Sequence, residues 1–433
     1  MEAVISEKNS VSVFLENLDV SENSSNSSYI SESISDAKGR LLASDLPNKK
    51  QENWKYSKIA PWLRKKYCCS RFNENIDLSI FESTKINANT LVFVNGYYRD
   101  DLSTVIQSQN GVIIQNMTEA VDLFKSYFET YFNKATDTSF FSDLNTVYNS
   151  NGVFIKVDEN VIAETTVHLL HIQTGKGTIA QSRNLIILEK NSKLDILESQ
   201  LELNATECIS NHVSEYFINE NALLNYTLIQ KGGDNASIHS NFFVQEDFSK
   251  INSNVFSLQK RFIRNNHSAR TVGTDTETRL NGSFMPGANE QFDNRTLLDH
   301  RNVRGYSEEV YKGILFEKSN AVFYGRIFVD QKAQQTNAYL NNSNILMDDS
   351  ARMHSKPELE IYADDVKCSH GSATGDFDTE AQFYLQARGI GLESARIMLI
   401  HAFMDEVSTK VENIEVRELV NSFMNERMMK LDK

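Results

Sequence analysis

The chain has 433 residues, with 44 Lys and Arg against 58 Asp and Glu, a formal charge of −14 and an apolar share of 40%. That length allows two or three structural units or one long solenoid, and the apolar share is ample for a packed core, which excludes disorder throughout. Net acidity argues against gripping nucleic acid, and no apolar run reaches the ~20 residues needed to cross a bilayer.

The opening MEAVISEKNSVSVFLENLDV lacks the basic start and apolar core of a secretory signal. Four cysteines make no disulfide framework, so a reducing cytoplasm is the expected compartment. Residues 1–150 read as a helical N-terminal region. Val11, Val13, Phe14, Leu15 and Leu18 form an amphipathic start, and SENSSNSSYISESIS after it is polar enough to predict a mobile connector. Short helices broken at Pro47 and Pro61 follow, anchored by Trp54, Tyr56 and Trp62. LVFVNGYYRDDL predicts a strand and a turn at Asn95-Gly96. Val121, Leu123, Phe124, Tyr127, Phe128 and Phe132 space a helix around 118–133.

Residues 151–375 change character. β-favouring runs such as VFIKV, NLIILE, HVSEYFI, ALLNYTLI and AVFYGRIFV are separated by short Asn, Gly, Asp, Ser or Lys turns, leaving no room for alternating helices. Only four prolines occur, and none lies between Arg64 and Met285. A sandwich or barrel and a parallel β-solenoid both fit; the density of strands without hairpin turns favours the solenoid. Asn191, Asn219, Asn221, Asn235 and Asn252 are the expected corners, where Asn tolerates the left-handed conformation and can ladder. No clean repeat is visible.

Residues 376–433 read as helices. Thr379-Glu380-Ala381-Gln382 resembles a capping box, and Gly389 sits where that helix would end. Two further helices carry apolar stripes at Ala395, Met398, Leu399, Ala402 and Phe403, and at Leu419, Phe423 and Met428. On spacing alone, a pair packed on the solenoid is favoured over a partner groove.

Motifs for nucleotides or a nucleophilic serine are absent: QTGKGT and GIGLES have the wrong spacing. His168 and His171, three apart in a strand, face opposite sides and cannot share a ligand directly. His401, Cys68 with Cys69, and Cys208 are read as structural. The segment PELEIYADDVKCSHG (357–371) stands apart. Read as one extended strand, it turns Leu359, Ile361 and Ala363 to the core, and Glu358, Glu360, Tyr362, Asp364, Val366, Cys368 and His370 to the other side. Cys368 and His370, two apart on one face, can converge on one ion or group. A thiolate with an imidazole suits iron or zinc, but two ligands leave a site incomplete, to be finished by a distant segment, solvent or another subunit.

KPELEIYADDVKCSHG, with LLDHRNVRGYSEEVYKGILFEKSNAVFYGRIFVDQKAQQTNAYLNNSNILM before it and FYLQARGI after it, closely resembles the SufB/SufD family of the Suf iron–sulfur cluster assembly machinery. LPNKKQENWKYSKI and LVFVNG match the family's upstream elements. The LEIYADDVKCSHG form and the length are similar to its SufD-type branch and unlike the longer SufB type. The resemblance implies a right-handed parallel β-helix flanked by helical N- and C-terminal regions, in a non-enzymatic cytoplasmic scaffold. It implies pairing with SufB through the β-helix, and binding of the ATPase SufC through the C-terminal helices. That shifts the reading of Met398, Ala402, Phe403, Leu419 and Phe423 to SufC contacts. It implies no permanent cofactor but a transient iron–sulfur cluster, or iron, at the SufB–SufD interface. His370 matches the family histidine there and Cys368 the cysteine of the same string; His300 matches a position without assigned chemistry. The string continues as CSHGSATG, where many relatives read CSHGATVG. Homodimerisation through the same edge is expected when SufB is absent. The competing readings are a β-helical polysaccharide lyase or hydrolase using Asp364, Asp365, Asp376 and Asp378, and a structural partner with no cluster contact.

Overall fold

A computed structural model of the chain describes residues 10–19, 28–68, 76, 81, 83–106, 109–149 and 151–431. The N-terminal part contains α1 (Ser10–Glu16), β1 (Leu18–Asp19), α2 (Ser28–Ala43), α3 (Ala60–Leu63), β2 (Tyr67–Cys68), β3 (Ala88–Val94), β4 (Tyr97–Tyr98), β5 (Val112–Asn116), α4 (Met117–Leu123), α5 (Lys125–Tyr131) and α6 (Phe140–Tyr148). β6 (Val153–Val157), β7 (Thr166–Lys176), β8 (Ile179–Leu188), β9 (Lys193–Thr206), β10 (Ile209–Ile218), β11 (Leu223–Lys231) and β12 (Ala236–Gln245) follow. Then come β13 (Lys250–Gln259), β14 (Phe262–Thr271), β15 (Glu277–Phe284), β16 (Gln291–His300), β17 (Tyr306–Leu315), β18 (Asn320–Val329), β19 (Asn337–Leu346), β20 (Arg352–Ile361) and β21 (Lys367–Asp376). α7 (Thr379–Ala387), α8 (Leu392–Ser408) and α9 (Ile414–Leu431) close the chain.

Successive strands alternate between two sheets, one ordered β20-β18-β16-β14-β12-β10-β8-β6-β5 and the other β21-β19-β17-β15-β13-β11-β9-β7-β3-β4. All pairings from β6 and β7 onward are parallel, so the protein is a parallel β-solenoid of about eight coils with helices at both ends of the chain. β4 and β5 are antiparallel to their neighbours and sit at the first-coil ends of the two sheets. Each coil satisfies its backbone through the next one. Ile179, Ile209, Ala236, Phe262, Gln291, Asn320 and Arg352 occupy equivalent positions, although their side chains follow no common pattern beyond the first four being apolar.

One corner of each coil except the last is a left-handed residue: Asn160, Asn191, Asn221, Phe248, Asp275, Arg304 and Gln335 in turn. The N–H of each donates to the carbonyl of the coil that follows, as from Asn191 to Glu220 and from Asn221 to Asp247. The first three form a side-chain ladder, in which Asn191 donates to Asn160 (2.7 Å) and Asn221 to Asn191 (2.8 Å). Among the expected corners, Asn252 instead lies within β13, its amide on the Lys410 carbonyl. Asn235 keeps an ordinary φ and uses its side chain to bind the Cys208 N–H.

The outer faces of the sheets are covered separately. α4 and α5 place Met117, Ala120 and Phe128 over Leu185, Ile187 and Val213; α8 and α9 place Ile400, Met404, Val420 and Phe423 over Leu197, Ile229 and Phe256. Lys231 lies over the Phe423 ring (4.1 Å) and Lys312 over Phe403 (4.4 Å), contacts worth about 0.5–1 kcal/mol at partly open sites. The N-terminal region is pinned by Arg183 and Glu215, both fully buried and 2.6 Å apart, with Glu215 also accepting from the N–H groups of Asn133 and Ala135.

The mobile-connector expectation fails where it can be seen. Residues 20–27 lie outside the described ones, but 28–35 form the first half of α2, with Ile30 and Ile34 buried against the α4–α5 cluster. Ile30, Ile34, Ala37 and Leu41 recur at helical spacing, and that periodicity outweighs the serine content. At α7 the cap is Asp378, which accepts from the Ala381 N–H, rather than Thr379; Gly389 does adopt positive φ (88°) at the end.

The interior is partly polar. Rings of His171, His212, His239 and His267 follow one another at 4.3, 5.8 and 6.1 Å, beside the buried Glu198 carboxylate. Burial opposes that charge, but His239, His171 and the Tyr226 hydroxyl outweigh it and keep Glu198 ionised. Burial holds His212 and His267 neutral, His267 down to about 3. Further along, Glu309 is fully buried, accepts from the Thr296 hydroxyl (2.6 Å), and burial pushes it up to about 8. A carboxyl raised on folding contributes stability that is complete below its unfolded pKa, near 4.5, and lost as pH rises through 8. Glu309→Gln therefore has the same urea midpoint as the parent near pH 5. It gains on the parent as pH rises above 5, by about 1.4 kcal/mol per unit, until the advantage levels off above pH 8. Parallel midpoints from pH 5 to 8.5 would contradict this assignment.

Candidate functional site

The segment 357–371 is two strands joined by a corner, not one. β20 ends at Ile361, β21 begins at Lys367, and they belong to different sheets. The corner resets the alternation of faces. Leu359, Ala363, Val366 and Cys368 all pack against the interior core, whereas Ile361, expected inside, is exposed. Cys368 pairs in register with Ala338 and His370 with Leu340, both interior positions, so Cys368 and His370 face along the inside of the last coil.

No further coil covers them. β20 pairs with β18 alone and β21 with β19 alone, so each leaves one row of backbone N–H and C=O groups without strand partners. Side chains that would be interior elsewhere are open here: Ser355 and Ser372 meet at 2.8 Å across the mouth, and His370 is exposed. Cys368 is half-buried, and burial pushes its thiol up despite a hydrogen bond to the Ala338 backbone. The thiolate is the nucleophile and the metal ligand, so Cys368 in the free chain is held in its less reactive form. Among the described residues, no group of three or more His, Cys, Asp and Glu is arranged to hold a metal ion. Cys368 and His370 are thus two donors on one face of an open coil.

The other residues singled out by sequence fall elsewhere. His168 contacts the Ser199 hydroxyl (3.1 Å) on one face of β7, and His171 contacts Glu198 (2.9 Å) on the other. His300 is buried between Ser307 and Thr271, and burial lowers it to about 4. Cys208 is buried; Cys68 is partly so, and Cys69 lies outside the described residues. Asp365 sits in the corner, its N–H bonded to the Gln334 side chain, and Asp378 caps α7.

In the C-terminal region, Phe423 is 3% exposed and packed on the solenoid, so it cannot serve as a partner contact; Phe403 and Leu419 are partly buried in the same cluster. α9 is a packing helix, the reading that spacing alone favoured. Met398 and Ala402 do face solvent. They are joined by Phe383 (72% exposed), Tyr384 and Leu392, which sequence reading passed over. The visible signal was the run of large apolar residues Phe383, Tyr384 and Leu385 in one short helix, more than a single buried stripe uses. Among the described residues no helix is long and apolar enough to cross a membrane.

Comparison with known proteins covers nearly the whole chain. A family profile described as SUF system FeS cluster assembly, SufBD core domain, matches residues 171–403, and one described as SufBD protein N-terminal region matches residues 5–169. The iron-sulfur cluster assembly protein SufD of Escherichia coli is 28% identical over 398 residues, covering 90% of this chain and 91% of its own. The iron-sulfur cluster assembly SufBD family protein slr0076 of Synechocystis is 27% identical over 381 residues, 84% of each. The chloroplastic protein ABCI7 of Arabidopsis thaliana is 30% identical over 424 residues, covering 90% of this chain and 88% of its own.

The state of Cys368 is directly measurable. In the isolated native protein at pH 7.5 it reacts with iodoacetamide more slowly than a free thiol, by about tenfold, and reaches the free-thiol rate in urea. Native labelling as fast as the unfolded rate would show that the last coil does not shield it.

Proposed function

The chain belongs to the SufBD family of iron–sulfur cluster assembly proteins, and from that membership we propose that it is a non-enzymatic scaffold subunit, pairing with SufB and docking the ATPase SufC. Its role in cluster assembly follows from the family. The observation that carries the rest is the open last coil, in which two edge strands and an unroofed interior meet at the place where Cys368 and His370 stand. A partner able to add strands to β20 and β21 covers that end and brings ligands of its own. The cluster, or iron, is cargo held between the subunits, with the His370 imidazole as this chain's accessible donor and the Cys368 thiol joining once deprotonated.

SufC docking is assigned to α7 and α8. Phe383, Tyr384, Leu392 and Met398 are large apolar side chains left in water, next to Ala402, whereas the apolar stripe of α9 is already used within the chain. Without SufB, the same edges accept a second copy of this chain.

Co-expression with SufB and SufC separates these roles. His370→Ala leaves the three-protein complex intact on gel filtration and lowers the iron and sulfide recovered with it by about tenfold or more; an unchanged yield would reduce the chain to a structural partner. Phe383→Asp combined with Leu392→Asp retains SufB and loses SufC, weakening its capture by at least about thirtyfold. Retained SufC would place that interface elsewhere.

A further inference from the structure

The two open edges are not alike. Residues 53–58 lie as a strap on the outer face of the first sheet, with their backbone held on β14 and β16 and the Tyr56 ring reaching to β20. The Asn53 carbonyl accepts from Arg264 (2.7 Å), whose guanidinium lies 3.9 Å over the Trp54 ring. On β16, the Gln291 side chain donates to the Tyr56 carbonyl (2.5 Å) and accepts from the Lys58 N–H (3.1 Å), while the Ser57 hydroxyl donates to Asp293. Between β16 and β20 a cavity of about 490 Å³ separates the strap from the sheet, lined by Lys55, Arg295 and Tyr324 among others. Contact resumes at the last strand. There the Tyr56 ring stacks on His354 of β20 at 4.2 Å and 14° between planes, and Lys356 approaches Glu52 (3.7 Å).

Among the described residues β21 has no counterpart. Its outward positions, Ser369, Gly371, Ala373 and Gly375, are exposed, and its side-chain hydrogen bonds at Ser372 and Thr374 run inward. Strand edges fray when one side lacks both strand partner and packing. A ring stacked on an otherwise open strand, held from behind by three bonds to the strap's backbone and one from the Ser57 hydroxyl, removes that freedom from β20 alone.

We infer that the 53–58 strap is a positioning device for the partner edge: through the Tyr56–His354 stack it holds β20 in strand geometry, leaving β21, with Cys368 and His370, as the compliant edge. The inference rests on the reading of the last coil as a partner surface, but its core can be tested in the isolated chain. Hydrogen exchange is followed for the β20 amides bonded to β18, with β21 and the central strands β12 and β14 as references. Tyr56→Ala accelerates the β20 amides by about tenfold relative to the parent, with the references unchanged. Tyr56→Phe, which keeps the ring, restores the parent rate, and His354→Ala reproduces the loss from the other side. Unchanged β20 rates in both alanine variants, or a Phe variant as fast as Ala, would overturn the inference, as would equal acceleration of β12 and β14 in both. A second arm measures SufB co-purification. Loosened β20 with reduced SufB supports the strap as a device for assembly. Loosened β20 with undiminished SufB overturns that purpose, and it counts against β20 as the pairing edge without touching the cluster-assembly role.

Discussion

In a parallel solenoid every strand draws its hydrogen bonds from the coils before and after it, so stability inside the stack is bought with exposure at its ends. An interior coil such as β11–β12 has both edges paired and both faces packed. The last coil has neither, and no local choice of residue removes the row of unpaired backbone groups along β20 and β21. Charged side chains on β20 (Arg352, Lys356, Glu358, Glu360) and small ones on β21 blunt the edge without closing it. The location of the candidate site follows from this: the two donors sit where the architecture has run out of partners.

The same rule explains the helices. Each sheet would otherwise present an apolar outer face, and the two ends of the chain cover one face each, α4–α5 the even-numbered strands and α8–α9 the odd ones. Anchors at the borders are charged groups placed over rings or buried against carboxylates, as with Lys231 on Phe423 and Arg183 on Glu215. Removing one member of the latter pair would strand a charge in a dry interior, so the pair fixes register more than it adds stability. The interior histidines make the opposite compromise: burial holds His212 and His267 uncharged, where they act as flat polar fillers.

Much of this architecture was legible in the sequence, because dense strands without hairpin turns and a long proline-free stretch left no room for alternating helices and favoured a solenoid over a sandwich or barrel. The coil repeat was not, since equivalent positions hold Ile179, Ile209, Ala236, Phe262 and Gln291, and only the backbone repeats. His212 and His239, in register on neighbouring coils, were a trace of it. The pairing of Cys368 with His370 on one face was readable from their spacing. Their direction was not, because a corner at 362–366 shifts the alternation in a way that counting by twos cannot register. Phe423 shows a similar limit: an apolar stripe states that something covers it, but not whether the cover is its own chain. Ile30 and Ile34 were hidden by a serine-rich context that weighed composition over periodicity.

The first coil ends differently from the last. β4 and β5 lie antiparallel against it, two and five residues long, and turn its edges into hairpin-like margins that do not match an incoming parallel stack. A rod with one blunted terminus and one receptive terminus can join a single mate and then stops growing. If the open end pairs as proposed, fibre formation, the standing hazard of stacked strands, stops at a pair.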